Sequence, residues 1–202
     1  MTHLSTTSLT SYLDALAAAT PAPGGGSAAG IAGAMGAALV EMVAGLSLAK
    51  PDANGAEHSA LQRAAIERAR GARVDLLQLA EDDAVAYGAF MEALKLPKSS
   101  DEERSARTAA ISAAAQRAAE VPLATLRAAV AVAEAARSIL EKSLVAAASD
   151  LEVAARFARA AGESAAENVE ANLPYIDDPQ TRAEIASQTS AALTALHRAT
   201  PQ

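Results

Sequence analysis

Small apolar residues, above all alanine, recur at intervals of three and four positions along most of this 202-residue chain. That spacing puts them on one face of an α-helix, and alanine has the highest helix propensity. No segment alternates apolar and polar residues over the length of a strand. Because 51% of the residues are hydrophobic, the helices can bury a core. The sequence predicts an all-α fold: a single-domain helical bundle over residues 1–202 with one long central helix.

Prolines and capping residues set the expected helix boundaries. The long helix is predicted over about residues 57–94 and is closed by Pro97. Residues 99–103 (SSDEE) have N-cap and first-turn chemistry, so another helix should run to about residue 120. Pro122 should open or kink the next helix. Residues 149–152 (SDLE) have capping-box spacing before a further helix.

Composition and charge limit the partners and location of the chain. The net charge is -7 with no run of basic residues, which argues against nucleic acid. Residues 15–40 are uncharged but contain the sequence PAPGGG, so we expect no membrane-spanning helix there. The N-terminus lacks a basic signal-peptide region, and the chain has no cysteine. A cytoplasmic location is therefore expected. The histidines are far apart in sequence, so no metal site is expected.

A glycine run precedes the second predicted helix. Gly24, Gly25 and Gly26 followed by Ser27 can expose backbone N–H groups to a ligand at a helix N-terminus. The alternative is a tight helix–helix turn in which the glycines only permit close packing. A dinucleotide-binding loop is rejected, because that motif follows a strand and here a helix precedes it.

Asp83 lies on an apolar face of the long helix. The spacings of three and four that lead through it connect Leu79, Asp83, Tyr87 and Phe90. A bare carboxylate in that position costs several kcal/mol unless it is paired, hydrogen-bonded or protonated. The sequence leaves two interpretations open: a buried ion pair with Arg or Lys, or a carboxylate that lines a cavity.

Four other polar residues are candidates for a site. Asn168 and Asn172 are four residues apart and share a helix face, where their amides could bind a heterocycle; Asn172 could equally help to end the helix. Asp150 could be catalytic, or an ordinary first-turn acid near the helix dipole. Lys98 could meet a carboxylate or phosphate, or could simply be solvated.

Several blocks of this sequence, taken together, resemble one known family. The chain is similar to the formiminotransferase-cyclodeaminase C-terminal domain family, which includes stand-alone methenyltetrahydrofolate cyclohydrolases. The blocks occur in family order over nearly the whole chain: residues 20–27 (TPAPGGGS), 83–87 (DAVAY), 91–98 (MEALKLPK), 119–123 (AEVPL), 149–155 (SDLEVAA) and 168–173 (NVEANL).

The resemblance implies an all-helical homodimer with a folate-binding cleft and no cofactor beyond the tetrahydrofolate substrate. It implies that residues 24–27, Asp83, Lys98, Asp150, Asn168 and Asn172 lie near that cleft, with Lys98, Asn168, Asn172 and residues 24–27 as the substrate-binding residues. The expected reaction is hydrolysis of 5,10-methenyltetrahydrofolate to 10-formyltetrahydrofolate. We predict Asp83 as the proton-transfer group, with Asp150 as second choice.

Two alternatives remain open at the level of sequence. One is formiminotetrahydrofolate cyclodeamination with release of ammonia, which uses similar proton transfers. The other is a catalytically silent helical binding or interaction protein. It is motivated by residues 142–149 (KSLVAAAS), where the family commonly has a Gly-Asn pair before the position of Asp150.

Overall fold

The computed structural model describes residues 6–50 and 56–200, and within them it contains α-helices, short 3₁₀ turns and no strand. The prediction of an all-α fold is confirmed. The helices are α1 (Leu9–Ala17), α2 (Gly25–Leu48), α3 (Ser59–Leu94), α4 (Asp101–Ile139), α5 (Ala148–Asn172) and α6 (Pro179–Ala199). The 3₁₀ turns are Ala56–His58, Val145–Ala147 and Leu173–Tyr175.

Helices α2 to α5 form a four-helix bundle in which each helix packs against the next and α5 returns to α2. Neighbouring helices run antiparallel. Gly30 near the start of α2 meets Leu76 and Ala80 in the second half of α3, and Asn172 at the end of α5 reaches Ala118 in α4. Helix α6 packs on the outside of α4 and α5.

Small residues on α2 bring its neighbours to backbone contact. A Cβ atom at Gly30 would lie 2.8 Å from the carbonyl oxygen of Leu76, and one at Gly36 would lie 2.9 Å from that of Ala154. By length and hydropathy α2 could also cross a membrane. Its contacts with α3 and α5 through these glycines are those of a core helix in a close-packed bundle.

The prediction that Pro122 separates two helices is wrong. Pro122 lies inside α4, a single helix of 39 residues that continues past the proline. The bundle therefore has two very long helices, α3 of 36 residues and α4 of 39, where the sequence predicted one. The carbonyl of Ala118, which proline deprives of its helical donor, accepts a hydrogen bond from Asn172 instead.

The two predicted helix starts differ in outcome. The N-cap and first-turn chemistry predicted at residues 99–103 is confirmed, and it takes the form of a capping box with Ser100 as the N-cap of α4. The amide of Glu103 donates to Ser100 Oγ at 3.1 Å, and Glu103 Oε2 accepts from the Ser100 amide at 3.2 Å. The capping box at residues 149–152 is wrong, because Ala147 is the N-cap of α5 and makes no side-chain cap. The 3₁₀ turn before it leads directly into the helix, so Asp150 lies in the first turn.

Candidate active site

A cavity of about 220 Å³ opens at one end of the bundle, where α2 begins and α5 ends. It collects glycines from the start of α2, a carboxylate and two aromatic rings from α3, and two amides from α5, and α4 contributes Ala118. Its lining residues are Pro21, Ala22, Gly24, Gly25, Gly26, Asp83, Ala86, Tyr87, Phe90, Ala118, Asn168 and Asn172. The structure thus brings together most of the residues that the sequence suggested for a site.

Asp83 binds the N-terminus of α2 from the neighbouring helix α3. Its Oδ2 accepts a hydrogen bond from the backbone amide of Ser27 at 3.1 Å. The N-cap residue of α2, Gly24, has no side chain to offer, so Asp83 performs the capping role in its place. No ion pair between Asp83 and an Arg or Lys occurs in residues 6–50 and 56–200. The positive end of the α2 dipole and its Ser27 amide therefore offset part of the desolvation cost of the half-buried carboxylate.

Burial raises the pKa of Asp83 above its usual value, and the hydrogen bond from the Ser27 amide offsets only part of that effect. Desolvation disfavours the charged form, whereas an N–H donor favours it. A carboxylate with a raised pKa, accessible from a cavity, can accept a proton and return it within one reaction cycle.

Gly26 makes room for this carboxylate. A Cβ atom at position 26 would lie 2.1 Å from Asp83 Oδ1 and 2.4 Å from Cγ, which no side chain can do without displacing Asp83. The glycine run therefore serves close approach at Gly26, as the packing interpretation expected. Gly24 and Gly25 also line the cavity, where their backbone can face a ligand. The packing interpretation therefore applies to Gly26, and the ligand-binding interpretation remains open for Gly24 and Gly25.

The side chain of Ser27 faces the protein interior. Ser27 is 1% exposed, and its hydroxyl lies 3.3 Å from the hydroxyl of Tyr12 in α1. Tyr12, which sequence reasoning missed, is itself buried. A buried tyrosine hydroxyl needs a polar partner, but the chain offers many serines and threonines, so the pairing could not be read from the sequence.

Asn168 and Asn172 both line the cavity and are ordered by backbone carbonyls. Asn172 Nδ2 donates to the carbonyl of Asn168 at 2.8 Å and to that of Ala118 at 3.1 Å. Asn168 Nδ2 donates to the carbonyl of Ser164 at 3.1 Å. Asn172 is also the last residue of α5, so its position at a helix end and its place in the cavity go together.

Aromatic rings form one wall of the cavity. Tyr87 and Phe90 follow Asp83 at helical spacing on α3 and line the same space. Phe90 packs edge to face against Tyr175, with ring centroids 5.1 Å apart. A flat heterocycle is a natural ligand for such a wall. The sequence showed these residues on one apolar line with Asp83, but not that the line borders a cavity.

Lys98 and Asp150 do not line this cavity. Lys98 is exposed in the turn between α3 and α4, beyond the cavity at the same end of the bundle. Asp150 lies in the first turn of α5. Since a helix rises about 1.5 Å per residue, Asp150 is about 27 Å along α5 from Asn168. Within one chain, Asp83 and Asp150 therefore belong to opposite ends of the molecule.

A wider groove of about 640 Å³ lies between α3 and α4. Its charged side chains, among them Arg68, Asp75 and Arg127, are all exposed. The smaller cavity is the better candidate because it contains a half-buried carboxylate with a perturbed pKa. Within the described ranges, no three His, Asp or Glu side chains are grouped as a metal site.

Comparison with known proteins gives consistent results. The formiminotransferase-cyclodeaminase sequence profile matches residues 8–191. A methenyltetrahydrofolate cyclohydrolase from Methylorubrum extorquens is 42% identical over 167 residues, 83% of this chain and 79% of that protein. A formimidoyltransferase-cyclodeaminase from Gallus gallus is 32% identical over 94% of this chain, which spans only 35% of that longer protein. The crystal structure of formiminotetrahydrofolate cyclodeaminase from Thermotoga maritima superposes with a TM-score of 0.85 at 28% identity, covering 96% of this chain and 92% of that chain.

Proposed function

This chain belongs to the formiminotransferase-cyclodeaminase family, and from that premise we propose that it hydrolyses 5,10-methenyltetrahydrofolate to 10-formyltetrahydrofolate. The observation that carries the proposal is the half-buried carboxylate of Asp83, which has a raised pKa in a cavity with two amides and an aromatic wall. The 42% identity to a methenyltetrahydrofolate cyclohydrolase supports hydrolysis over the other reaction of the family.

The chemistry requires a proton acceptor and then a proton donor at the same place. The methenyl carbon bridges N5 and N10 of the substrate and has cationic character. Ionised Asp83 accepts a proton from water as the water oxygen bonds to that carbon, which gives a neutral tetrahedral adduct. Protonated Asp83 then donates to N5 as the carbon–N5 bond breaks. The remaining hydroxyl proton leaves as the formyl C=O forms, so each turnover consumes one water and releases one proton.

The size of the cavity suits one end of the substrate. At about 220 Å³ it is smaller than the roughly 300–1,000 Å³ of sites that enclose a whole ligand. We place the pterin ring against Tyr87 and Phe90, with its polar edge toward Asn168 and Asn172. The rest of the folate would extend outward past the turn between α3 and α4, where Lys98 could meet the glutamate carboxylates.

The second candidate function is cyclodeamination of formiminotetrahydrofolate. The close structural similarity to the Thermotoga maritima cyclodeaminase favours it. N10 would then bond to the protonated formimino carbon, the same carboxylate would accept the N10 proton and donate it to the amine, and the carbon–amine bond would break to release ammonia. Formation of ammonia from the formimino substrate, measured beside methenyl hydrolysis on one protein preparation, ranks the two reactions by kcat/KM.

The decisive experiment follows the loss of near-UV absorbance of methenyltetrahydrofolate in a buffer where spontaneous hydrolysis is slow. A rate proportional to enzyme concentration, abolished in Asp83→Asn, supports the proposed reaction and the role of Asp83. No rate above background would reject hydrolysis. If the formimino substrate also failed while tetrahydrofolate still bound, the protein would be a silent binding member of the family.

We also propose that the enzyme is a cytoplasmic homodimer that binds neither nucleic acid nor membrane. An apolar stripe on α2 supports the dimer: Met35, Met42 and Leu46 are 44%, 42% and 42% exposed and share one helix face. Light scattering on wild type and Met42→Glu tests it, because a charge in the interface should give monomers. A monomeric wild type would reject the dimer. Cell fractionation separately tests the cytoplasmic location.

A further inference from the structure

Pro122 removes a hydrogen-bond donor next to the cavity. In an uninterrupted helix the amide of residue 122 would donate to the carbonyl of Ala118, but proline has no N–H. Pro122 is buried inside α4, and Ala118 lines the cavity. The carbonyl of Ala118 is therefore available to a donor from outside its own helix.

Asn172 of α5 is that donor. Its Nδ2 lies 3.1 Å from the Ala118 carbonyl and 2.8 Å from the Asn168 carbonyl. Because both neighbours can only accept, the NH₂ group must face them, and both of its hydrogens are used. The orientation of the amide is fixed, with Oδ1 on the opposite side.

Asn172 Oδ1 has no hydrogen-bond partner in the part of the chain that the structure describes. This oxygen is not fully buried, so a ligand can reach it. The residue lines the cavity. Asn172 therefore presents an acceptor to the cavity and no donor, because both of its side-chain N–H groups already donate to backbone carbonyls. An amide that was free to rotate would present either group.

We propose that Pro122 is a positioning residue for ligand recognition. By leaving the Ala118 carbonyl without a helical donor, it allows Asn172 to lock its amide and present Oδ1 as a fixed acceptor. The matching ligand carries N–H donors on the edge of a fused heterocycle. For the identity of that ligand this inference rests on the proposed function: the 2-amino and lactam N–H groups of a reduced pterin are such donors.

A double-mutant cycle tests the link between the two residues. We expect Pro122→Ala to raise KM for methenyltetrahydrofolate about threefold to tenfold with kcat unchanged, because Oδ1 loses its fixed orientation. Asn172→Ala should raise KM about tenfold or more. The double variant should match Asn172→Ala, since Pro122 acts only through Asn172. Pro179→Ala is the matched control: it removes a proline from the first turn of α6, where no helical carbonyl is freed, and KM should not change.

A ligand analogue tests what Oδ1 recognises. The probe is 5-formyltetrahydrofolate, compared with its analogue in which a methyl group replaces the 2-amino group. Wild type should bind the amino compound about tenfold or more tightly than the analogue, because the analogue removes one of the two N–H donors that face the acceptor. Asn172→Ala should bind both alike. Equal discrimination by the two proteins would overturn the assignment of Oδ1.

A measurement without ligand separates this inference from the proposed function. The ¹⁵N-labelled side-chain amide of Asn172, assigned by its loss in Asn172→Ala, should exchange more slowly than exposed amides, and Pro122→Ala should remove that protection. An unchanged Asn172 signal in Pro122→Ala, or an equal effect of Pro122→Ala on KM in both backgrounds, would overturn the role of Pro122. A wild-type protein that binds no tetrahydrofolate would instead overturn the proposed function and the pterin assignment, while the amide signal still decides the Pro122–Asn172 link.

Discussion

The two ends of the four-helix bundle use their buried and half-buried polar side chains in different ways. At the cavity end, where Asp83 and Asn172 lie, polar groups keep hydrogen-bonding capacity toward an open space. At the loop end, where residues 140–147 connect α4 to α5, they are used internally. Ser47 Oγ donates to the carbonyl of Val43 at 2.8 Å and accepts from the Leu144 amide at 2.9 Å.

Gln62 is a second buried polar residue at the loop end. Its side chain is fully buried, and its Nε2 donates to the carbonyl of Lys142 and to Ser143 Oγ. Its Oε1 is buried without a partner among the described residues, which costs stability but offers nothing that a ligand can reach. A buried polar residue is thus no sign of a site by itself. Spare capacity that faces accessible space distinguishes the cavity end.

The largest expected effect is that of Asp83→Asn. Asparagine caps helices about as well as aspartate, so α2 should keep its cap and the melting temperature should stay within a few degrees. The proton acceptor is lost, and kcat should fall at least about 100-fold. Asp82→Asn on the same helix is the control and should retain activity. Full turnover by Asp83→Asn would remove Asp83 from the chemistry and leave it a structural cap.

Local patterns predicted much of this end of the molecule. Helical spacing put Asp83 in line with Tyr87 and Phe90, and a spacing of four put Asn168 and Asn172 on one face. Each of these patterns concerns a single helix, whose geometry is set by nearby residues. The convergence of four helices on one cavity depends on packing angles, which no spacing encodes.

Where sequence reasoning failed, a partner distant in sequence decided the outcome. Pro122 was expected to interrupt α4, but Asn172, 50 positions later, satisfies the freed carbonyl and the helix continues. One of the two interpretations of Asp83 named a basic side chain as its partner, and the structure supplies a helix N-terminus instead. Such partners cannot be identified from local propensity, because they depend on which helices become neighbours.

Gly26→Ala should have the next largest effect. The added Cβ would lie 2.1 Å from Asp83 Oδ1, so the carboxylate must move away from the α2 N-terminus. We expect kcat to fall about tenfold or more, since misplacement by about 1 Å can cost 100-fold. Gly45→Ala in the same helix is the matched control, because its Cβ would have no neighbour within 4 Å. Equal kinetics for the two variants would contradict the close-approach argument.

The raised pKa of Asp83 predicts two pH dependences. The folded protein binds the proton of the Asp83 carboxyl more tightly than the unfolded chain does. The contribution of protonated Asp83 to the free energy of unfolding is therefore complete below the unfolded pKa of about 3.9, and it is lost as pH rises through the folded pKa. Wild type should therefore lose stability relative to Asp83→Asn over that rise. The kcat/KM of wild type should increase over the same range as the base ionises. Denaturant unfolding and pH–rate profiles measure both, and a parallel stability profile for the two proteins would contradict the shift.

Gln62→Ala should affect stability and spare catalysis. Its removal leaves the Lys142 carbonyl and Ser143 hydroxyl at the loop end without their donor, which should cost about 1–3 kcal/mol in the free energy of unfolding. The value of kcat should stay within about twofold, because the cavity is at the opposite end. A large loss of kcat in a folded variant would show that the two ends are coupled.

Asp150→Asn should have the smallest effect, with kcat within about threefold of wild type, since Asp150 lies about 27 Å along α5 from Asn168. Steady-state kinetics beside Asp83→Asn provide the comparison. A loss as large as that of Asp83→Asn would mean that the loop end of a partner subunit completes the cavity of its neighbour, and the distinction between the ends would then hold only within one chain.

Because Asp83 caps α2 from a neighbouring helix, its structural and chemical duties need different properties of the same side chain. An oxygen that accepts from the Ser27 amide is enough to hold the helix, and asparagine has one. Exchange of one carboxylate oxygen for a nitrogen, a single-nucleotide change in the gene, would remove the proton acceptor without removing the cap. Loss of chemistry in a gene copy would thus carry little penalty in folding. Overall similarity would still mark such a copy as an enzyme, so residue 83 is the position to inspect when relatives of this protein are assigned a reaction.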